Sequence, residues 1–137
     1  MKEKRIKGTS KIRRENLKTL LLVDDNDFFR RSLSIGLEDE GYTVYEAGSG
    51  MEALEFLQSK HKKKLIVDTV IVDARMPGLD GFLLYDQIHS MDPSVKVIIL
   101  SAHSYPEQTD KYTMLTKPVS IPELVDSIEN YLFLQQG

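Results

Sequence analysis

Asp24, Asp25, Asp73, Ser101 and Lys117 are the residues whose types and spacing could do chemistry together. Each follows or closes a short apolar run: 19–23 before the acid pair, 67–72 before Asp73, 95–100 before Ser101 and 112–116 before Lys117. Three carboxylates in one cleft repel one another, and one takes up a proton unless a cation intervenes. Oxygen-only donors of this kind suit Mg2+, which favours octahedral geometry and keeps several waters. A carboxylate, a hydroxyl, an ammonium and a metal are the parts for moving a phosphoryl group. The carboxylate is then the nucleophile, and the cations neutralise the phosphoryl oxygens. Blander readings stand beside this one. A strand-terminal aspartate also caps turns, and an acidic trio can be a hydrogen-bonded, partly protonated cluster.

The elements that must position these residues are legible in outline. The run 67–73, VDTVIVD, reads as a strand buried on both faces, and Pro77-Gly78 and Asp80-Gly81 supply turn chemistry. From Asn26 to Glu40 the apolar residues Phe28, Phe29, Leu33, Ile35 and Leu37 recur at mostly helical spacing, and Gly41 offers a stop. Tyr42 to Glu46 alternates as a strand, and 48–50 reads as a loop. Met51, Leu54 and Leu57 predict a second helix that trails into a solvated run at 61–64. Phe82, Leu83, Leu84, Ile88 and Met91 predict a third, closed by Asp92-Pro93. Ser120-Ile-Pro-Glu123 is a capping box, and Leu124, Ile128, Tyr131 and Leu132 form the apolar stripe of a terminal helix.

Strands alternating with helices imply a parallel sheet with right-handed crossovers. Five strands fit the flavodoxin-like, doubly wound α/β order 2-1-3-4-5, in which strands 1 and 3 meet at the switch point. That order brings Asp24 and Asp25 against Asp73 and points Ser101 and Lys117 at the same edge.

Composition bounds the alternatives. The chain of 137 residues suits one domain, and the absence of cysteine removes disulfides and thiolate metal sites. A cysteine-free chain fits the reducing cytoplasm. No apolar run approaches the ~20 residues of a membrane span, and the charged start has no apolar segment behind it to make a secretory signal. The net charge of −3 hides an asymmetry. Residues 1–18 carry eight Lys/Arg against two Glu, a net of +6, while the rest carries ten against nineteen acids, a net of −9. The chain therefore divides into a basic arm, 1–18, and a domain, 19–137. A basic arm can meet an acidic partner, nucleic acid or an anionic membrane, but this one lacks aromatic residues to stack on bases and reads most simply as a solvated terminus.

Four motifs at strand ends, VDDN at 23–26, VIVDARMPGLDG at 70–81, ILSA at 99–102 and LTKP at 115–118, resemble the receiver domains of two-component response regulators. The resemblance runs from about Thr19 to Leu134. It implies that Asp73 is the phosphoacceptor. It also implies that Asp25 and Asp24, with Asp73 and the backbone carbonyl of Arg75, hold Mg2+. Ser101 matches the switch hydroxyl, and Lys117 the lysine that pairs with the phosphoryl group, followed by a cis peptide to Pro118. Arg75 and His103, two residues past Asp73 and Ser101, match places that tune phosphoryl lifetime, and Ala102 and Met114 fall at switch positions. The donor implied is a phosphohistidine on a sensor histidine kinase or histidine phosphotransfer protein, with no direct DNA contact by the receiver itself.

The sequence departs from the family pattern twice. Met114 stands where an aromatic usually lies three residues before the lysine, and Tyr112 is only nearby. The interval from Ser101 to Lys117 is short and contains Pro106, so the helix between the fourth and fifth strands is expected to be shortened or absent. Because that helix often builds the output and dimer surface, signalling through the first or last helix is expected; homodimerisation is compatible with the pattern. With no output domain after the last helix, the expectation is a stand-alone receiver or a fragment of something longer. Two alternatives stay open: a phosphorylation-independent pseudo-receiver scaffold, and a haloacid-dehalogenase-type phosphatase. The phosphatase places its nucleophile first, a second acid two residues later and the acid pair last; here the pair comes first and Arg75 takes the second acid's place. His103 suits Mg2+ poorly as a ligand, and His61 and His89 lack ligand spacing.

Overall fold

The computed structural model describes residues 19–60, 62–103 and 111–136, with side chains described as far as Glu129. The basic arm, His61, Pro106 and the side chains of Tyr131 and Leu132 lie outside the described residues. Five strands, β1 (Thr19–Val23), β2 (Thr43–Ala47), β3 (Thr69–Asp73), β4 (Lys96–Ser101) and β5 (Thr113–Thr116), pair in parallel in the order β2-β1-β3-β4-β5. Four helices, α1 (Asp27–Asp39), α2 (Gly50–Ser59), α3 (Gly81–Met91) and α4 (Ile121–Gln136), alternate with them. This is the expected flavodoxin-like α/β fold.

The three central strands are buried on both faces because nearly every residue in them is apolar, and side-chain alternation divides them between two layers. Leu21, Val23, Val70, Val72, Val97 and Ile99 face Leu54, Leu57, Leu84 and Ile88 of α2 and α3. Leu20, Leu22, Ile71, Ile98 and Leu100 face Leu33, Leu37, Leu124 and Ile128 of α1 and α4. The edge strands β2 and β5 are only partly buried.

Each helix starts on a residue that can cap it. The side chains of Asn26, Ser49 and Asp80 accept the amides of Phe29, Glu52 and Leu83. At α4 the capping box closes both ways, with Glu123 N donating to Ser120 Oγ at 3.2 Å and Ser120 N to Glu123 Oε1 at 2.8 Å. Gly41, at φ 104°, ends α1 in the left-handed region that glycine favours.

Several apolar residues expected on helix stripes are exposed. Phe28 is 84% exposed, and Ile35, Met51, Leu83 and Met91 also face solvent. On α1 the reason is angular. Phe29, Leu33 and Leu37 recur every four residues on the inward face, so Phe28 and Ile35 lie off it. The second helix begins at Gly50 rather than after a loop through 50, because Ser49 Oγ accepts the Glu52 amide and the Glu52 carboxylate accepts the Gly48 amide. The connection from β4 to β5 is short. Its described residues, 102, 103, 111 and 112, contain no helix, and 104–110 lie outside the described residues.

Candidate functional site

The carboxyl edge of the sheet at the β1–β3 switch point gathers the residues singled out by sequence. Asp24 leaves β1 buried, with its amide bonded to the Ala47 carbonyl of β2 at 3.1 Å. Its Oδ1 accepts the Asn26 amide at 2.9 Å, and its carbonyl accepts Arg30 Nη1 at 2.7 Å. Asp25 is exposed, and Asp73 ends β3 partly buried. One carboxylate oxygen from each of Asp24, Asp25 and Asp73 lies within 4.8 Å of the others. Burial, the largest influence, raises the Asp24 pKa above the ordinary carboxylate value. The Asn26 amide and Lys117 oppose that shift, and Asp73 and Asp25 add to it. Such a cluster of oxygen donors, with its charge incompletely offset, fits a hard divalent cation such as Mg2+.

Lys117 reaches in from β5. Its amide donates to the Ser101 carbonyl at 2.7 Å, which fixes the strand end, and the Lys117–Pro118 peptide is cis as the family resemblance implied. Its Nζ lies 2.6 Å from Asp73 Oδ1 and 3.9 Å from Asp24 Oδ2. The same ammonium sits 4.4 Å from the centroid of Phe29 on α1, a cation–π contact on the site's flank. Lys117 is thus held against the carboxylate proposed to react.

Ser101 is buried at the end of β4, but its hydroxyl is engaged locally. It donates to the His103 carbonyl at 2.8 Å and accepts the His103 amide at 3.0 Å. Ala102 and the His103 side chain are exposed. Arg75 is exposed too, and lines an open depression with Met76, Pro77 and Asp80. Met114 is partly buried against the α2–α3 layer. Tyr112 packs edge-on to Phe82 and Tyr85 of α3, at 5.0 and 4.7 Å between centroids.

Three features of the site escaped sequence reasoning. Phe29 reads as core, and only the fold shows it over Lys117. Arg30 belongs to no motif in the sequence, yet its side chain is 13% exposed and bridges α1, β2 and the acidic loop. Gly81 looks like turn chemistry, but a Cβ there would lie 2.6 Å from the Asp73 carbonyl oxygen and 3.0 Å from Ala74 Cα. The start of α3 therefore presses on the backbone that carries Asp73, and only glycine fits. Asp80-Gly81 before a helical pattern was the available signal for that contact.

A five-stranded parallel sheet with this acidic switch point defines a class of signalling domain, and comparison with known proteins agrees. The family described as response regulator receiver domain matches residues 20–129. The chain belongs to this family of two-component response regulators. It is 40% identical over 119 residues to the transcriptional regulatory protein GlrR of Escherichia coli (strain K12), a match covering 82% of this chain and 26% of that protein. The chain thus spans about a quarter of that relative. It is 28% identical over 124 residues to sporulation initiation phosphotransferase F of Bacillus subtilis (strain 168), covering 86% of this chain and 96% of that protein. Among solved structures, a response regulator receiver domain protein from Clostridium thermocellum superposes with a TM-score of 0.75 at 27% identity, covering 88% of this chain and 98% of that one. The dehalogenase-type order of motifs has no counterpart in this family assignment. No helix among the described residues is long and apolar enough to cross a membrane.

Proposed function

We propose that this chain is a Mg2+-dependent phosphorylation switch in which Asp73 accepts a phosphoryl group from the phosphohistidine of a sensor kinase or a phosphotransfer protein. The observation that carries the reading is the 2.6 Å contact between Lys117 Nζ and Asp73 Oδ1 inside a cluster of three carboxylates. Asp24, Asp25, Asp73 and the Arg75 carbonyl hold the metal in this reading. When bound, Mg2+ supplies positive charge to the oxygens of the transferring phosphoryl group. An Asp73 carboxylate oxygen attacks phosphorus, the phosphorus–nitrogen bond breaks, and the imidazole leaves with its proton. Lys117 then exchanges a carboxylate oxygen for a phosphoryl oxygen as partner, a charge-assisted bond gained as the acceptor's charge increases. The side chains of Arg75 and His103, both exposed, border the path of the water that later hydrolyses the acyl phosphate.

Ser101 has one hydroxyl proton, and it is committed to His103. Donating to a phosphoryl oxygen requires release of that carbonyl, so the phosphorylated state changes the start of the β4–β5 connection. The protein acts, in this reading, by altering contacts with a partner protein rather than by touching DNA. Residues 1–18 serve as an arm on a receiver spanning 19–137, and the cytoplasm, where the donors act, is the compartment.

A second reading, a scaffold that works without phosphate, draws on Met114 at the usual aromatic position and on the closed Ser101 turn. Intact-protein mass after incubation with acetyl phosphate separates the two. A Mg2+-dependent gain of one phosphoryl group, lost in Asp73→Asn, is the expected result. A folded protein that binds Mg2+ and gains no mass from acetyl phosphate or a phosphohistidine donor belongs to the scaffold reading.

A further inference from the structure

The Arg30 guanidinium makes three polar contacts from one largely buried position. Its Nε bonds Glu46 Oε1 on β2 at 2.9 Å, its Nη1 bonds the Asp24 carbonyl at 2.7 Å, and Nη1 also lies 2.9 Å from Asp27 Oδ1. A planar fork with fixed donors can hold two partners in set directions at once, which a lysine ammonium does less well. The partner that matters is the Asp24 carbonyl, because Asp24 is held at both ends. The carbonyl is fixed by Arg30, and Oδ1 is fixed by the Asn26 amide at 2.9 Å. What remains is Oδ2, turned toward Lys117 in the cleft at 3.9 Å. The far end of the brace is anchored on a strand, since Glu46 pairs in register with Leu22 of β1.

We infer that Arg30 is a positioning residue for the divalent cation. It fixes the peptide of Asp24 so that one carboxylate oxygen points into the cleft before any metal arrives. This rests on the proposed metal site and deepens it. A brace of this kind reduces the ordering left to be done on binding, so it acts on metal affinity more than on phosphoryl transfer at saturating metal. Groups that orient metal ligands typically govern affinity by about tenfold or more.

The test is calorimetric titration of the full chain with Mg2+, for wild type, Arg30→Gln, Arg30→Lys and Glu46→Gln, with acetyl phosphate labelling rates at saturating Mg2+ alongside. Arg30→Gln is expected to weaken Mg2+ binding by about tenfold or more. Its labelling rate at saturating Mg2+ stays within about threefold of wild type if the loss is one of pre-organised binding. Arg30→Lys is expected to recover part of the affinity through the retained contact to the carbonyl. Glu46→Gln, which loosens the α1–β2 ion pair but leaves the Asp24 carbonyl bond, is expected to lower thermal stability with a smaller change in Mg2+ affinity. If Arg30→Gln does not fold, Arg30→Lys carries the test by the same split between affinity and saturated rate. Wild-type Mg2+ affinity in a folded Arg30 variant overturns the inference and leaves the phosphorylation switch intact. Equal losses in Arg30→Gln and Glu46→Gln also overturn it, because the role is then only structural. A wild-type protein that binds no Mg2+ overturns both the inference and the metal site beneath it.

Discussion

The two edges of the sheet both bury polar groups, and they do so with different consequences. At the carboxyl edge Asp24 and Ser101 are buried, and each polar atom described there meets a partner: an amide, a guanidinium, an ammonium or a backbone carbonyl. At the amino edge Thr69 and Lys96 face one another across β3 and β4 in register. Thr69 Oγ1 there makes no hydrogen bond, and burial alone pulls the Lys96 pKa down to about 7. The carboxyl edge stores like-charge repulsion that a cation can relieve. The amino edge carries the desolvation cost of a buried lysine. Burying a charge is therefore not by itself the mark of a site; convergence of partners around it is.

The largest expected effect that sharpens this contrast falls on Lys117. Lys117→Gln removes the ammonium beside Asp73 while leaving a side chain of similar reach. On the proposed chemistry the acetyl phosphate labelling rate falls about 100-fold or more, followed by intact mass against time. A fall of under about threefold would remove Lys117 from the reaction. The counterpart at the amino edge is a stability effect. The unfolded chain holds the Lys96 proton up to its ordinary pKa of 10.5, and the folded chain releases it near 7. The unfolded state thus binds more protons across that window, so stability rises as pH goes from about 7 towards 10.5, and the cost is fully present below 7. Lys96→Met keeps the apolar stem and removes the charge. It is expected to stabilise the protein most at and below pH 7, by up to about 4 kcal/mol, and by little near pH 10.5, read from urea unfolding at several pH values. A constant difference across pH would break the contrast between the edges.

Also at the carboxyl edge lies Gly81, where the end of β3 meets α3. Gly81→Ala places a Cβ against the Asp73 carbonyl, a backbone atom that cannot swing aside as a side chain can. The expected loss is about 2 kcal/mol, with a shift in labelling rate because Asp73 moves with its own carbonyl. Unchanged stability and rate would mean that the α3 turn does not constrain the site.

The sequence made the fold legible because three central strands are apolar throughout and each helix begins on a capping side chain. The acid cluster was legible because residue type and strand end coincide at Asp24, Asp25, Asp73 and Lys117. What stayed hidden shares one physical cause. Arg30 acts through a backbone carbonyl, Gly81 through a close approach to backbone, and Ser101 through a turn onto His103. None of these partners leaves a residue-type signature. Phe29 shows the other limit: position on the apolar stripe marks it as core, but only the fold, in which Lys117 reaches across the carboxyl edge towards α1, puts its ring beside the ammonium. Phe28 and Ile35 share the apolar character of the stripe but not its angle at 3.6 residues per turn, and both are exposed.

The smallest expected effect is also the most discriminating, because its sign depends on metal. Asp24→Asn keeps an oxygen to accept the Asn26 amide and removes a buried negative charge from a cluster of three. Asp24 has a raised pKa in the folded chain, so folding is favoured as pH falls through that value and opposed by the charge above it. At pH 8 with a chelator present, Asp24→Asn is expected to be more stable than wild type. That advantage shrinks as pH falls through the raised folded pKa and is gone below the ordinary value of 3.8, where the unfolded chain is protonated too. With Mg2+ at many times its dissociation constant the order reverses, because binding to the folded state stabilises wild type by mass action and the variant has lost a ligand. Denaturant unfolding of both proteins, with chelator and with Mg2+, reads all four stabilities. A variant that is less stable than wild type without metal would show that Asp24 is held for its hydrogen bonds. The carboxyl edge would then resemble the amino edge more than a metal site.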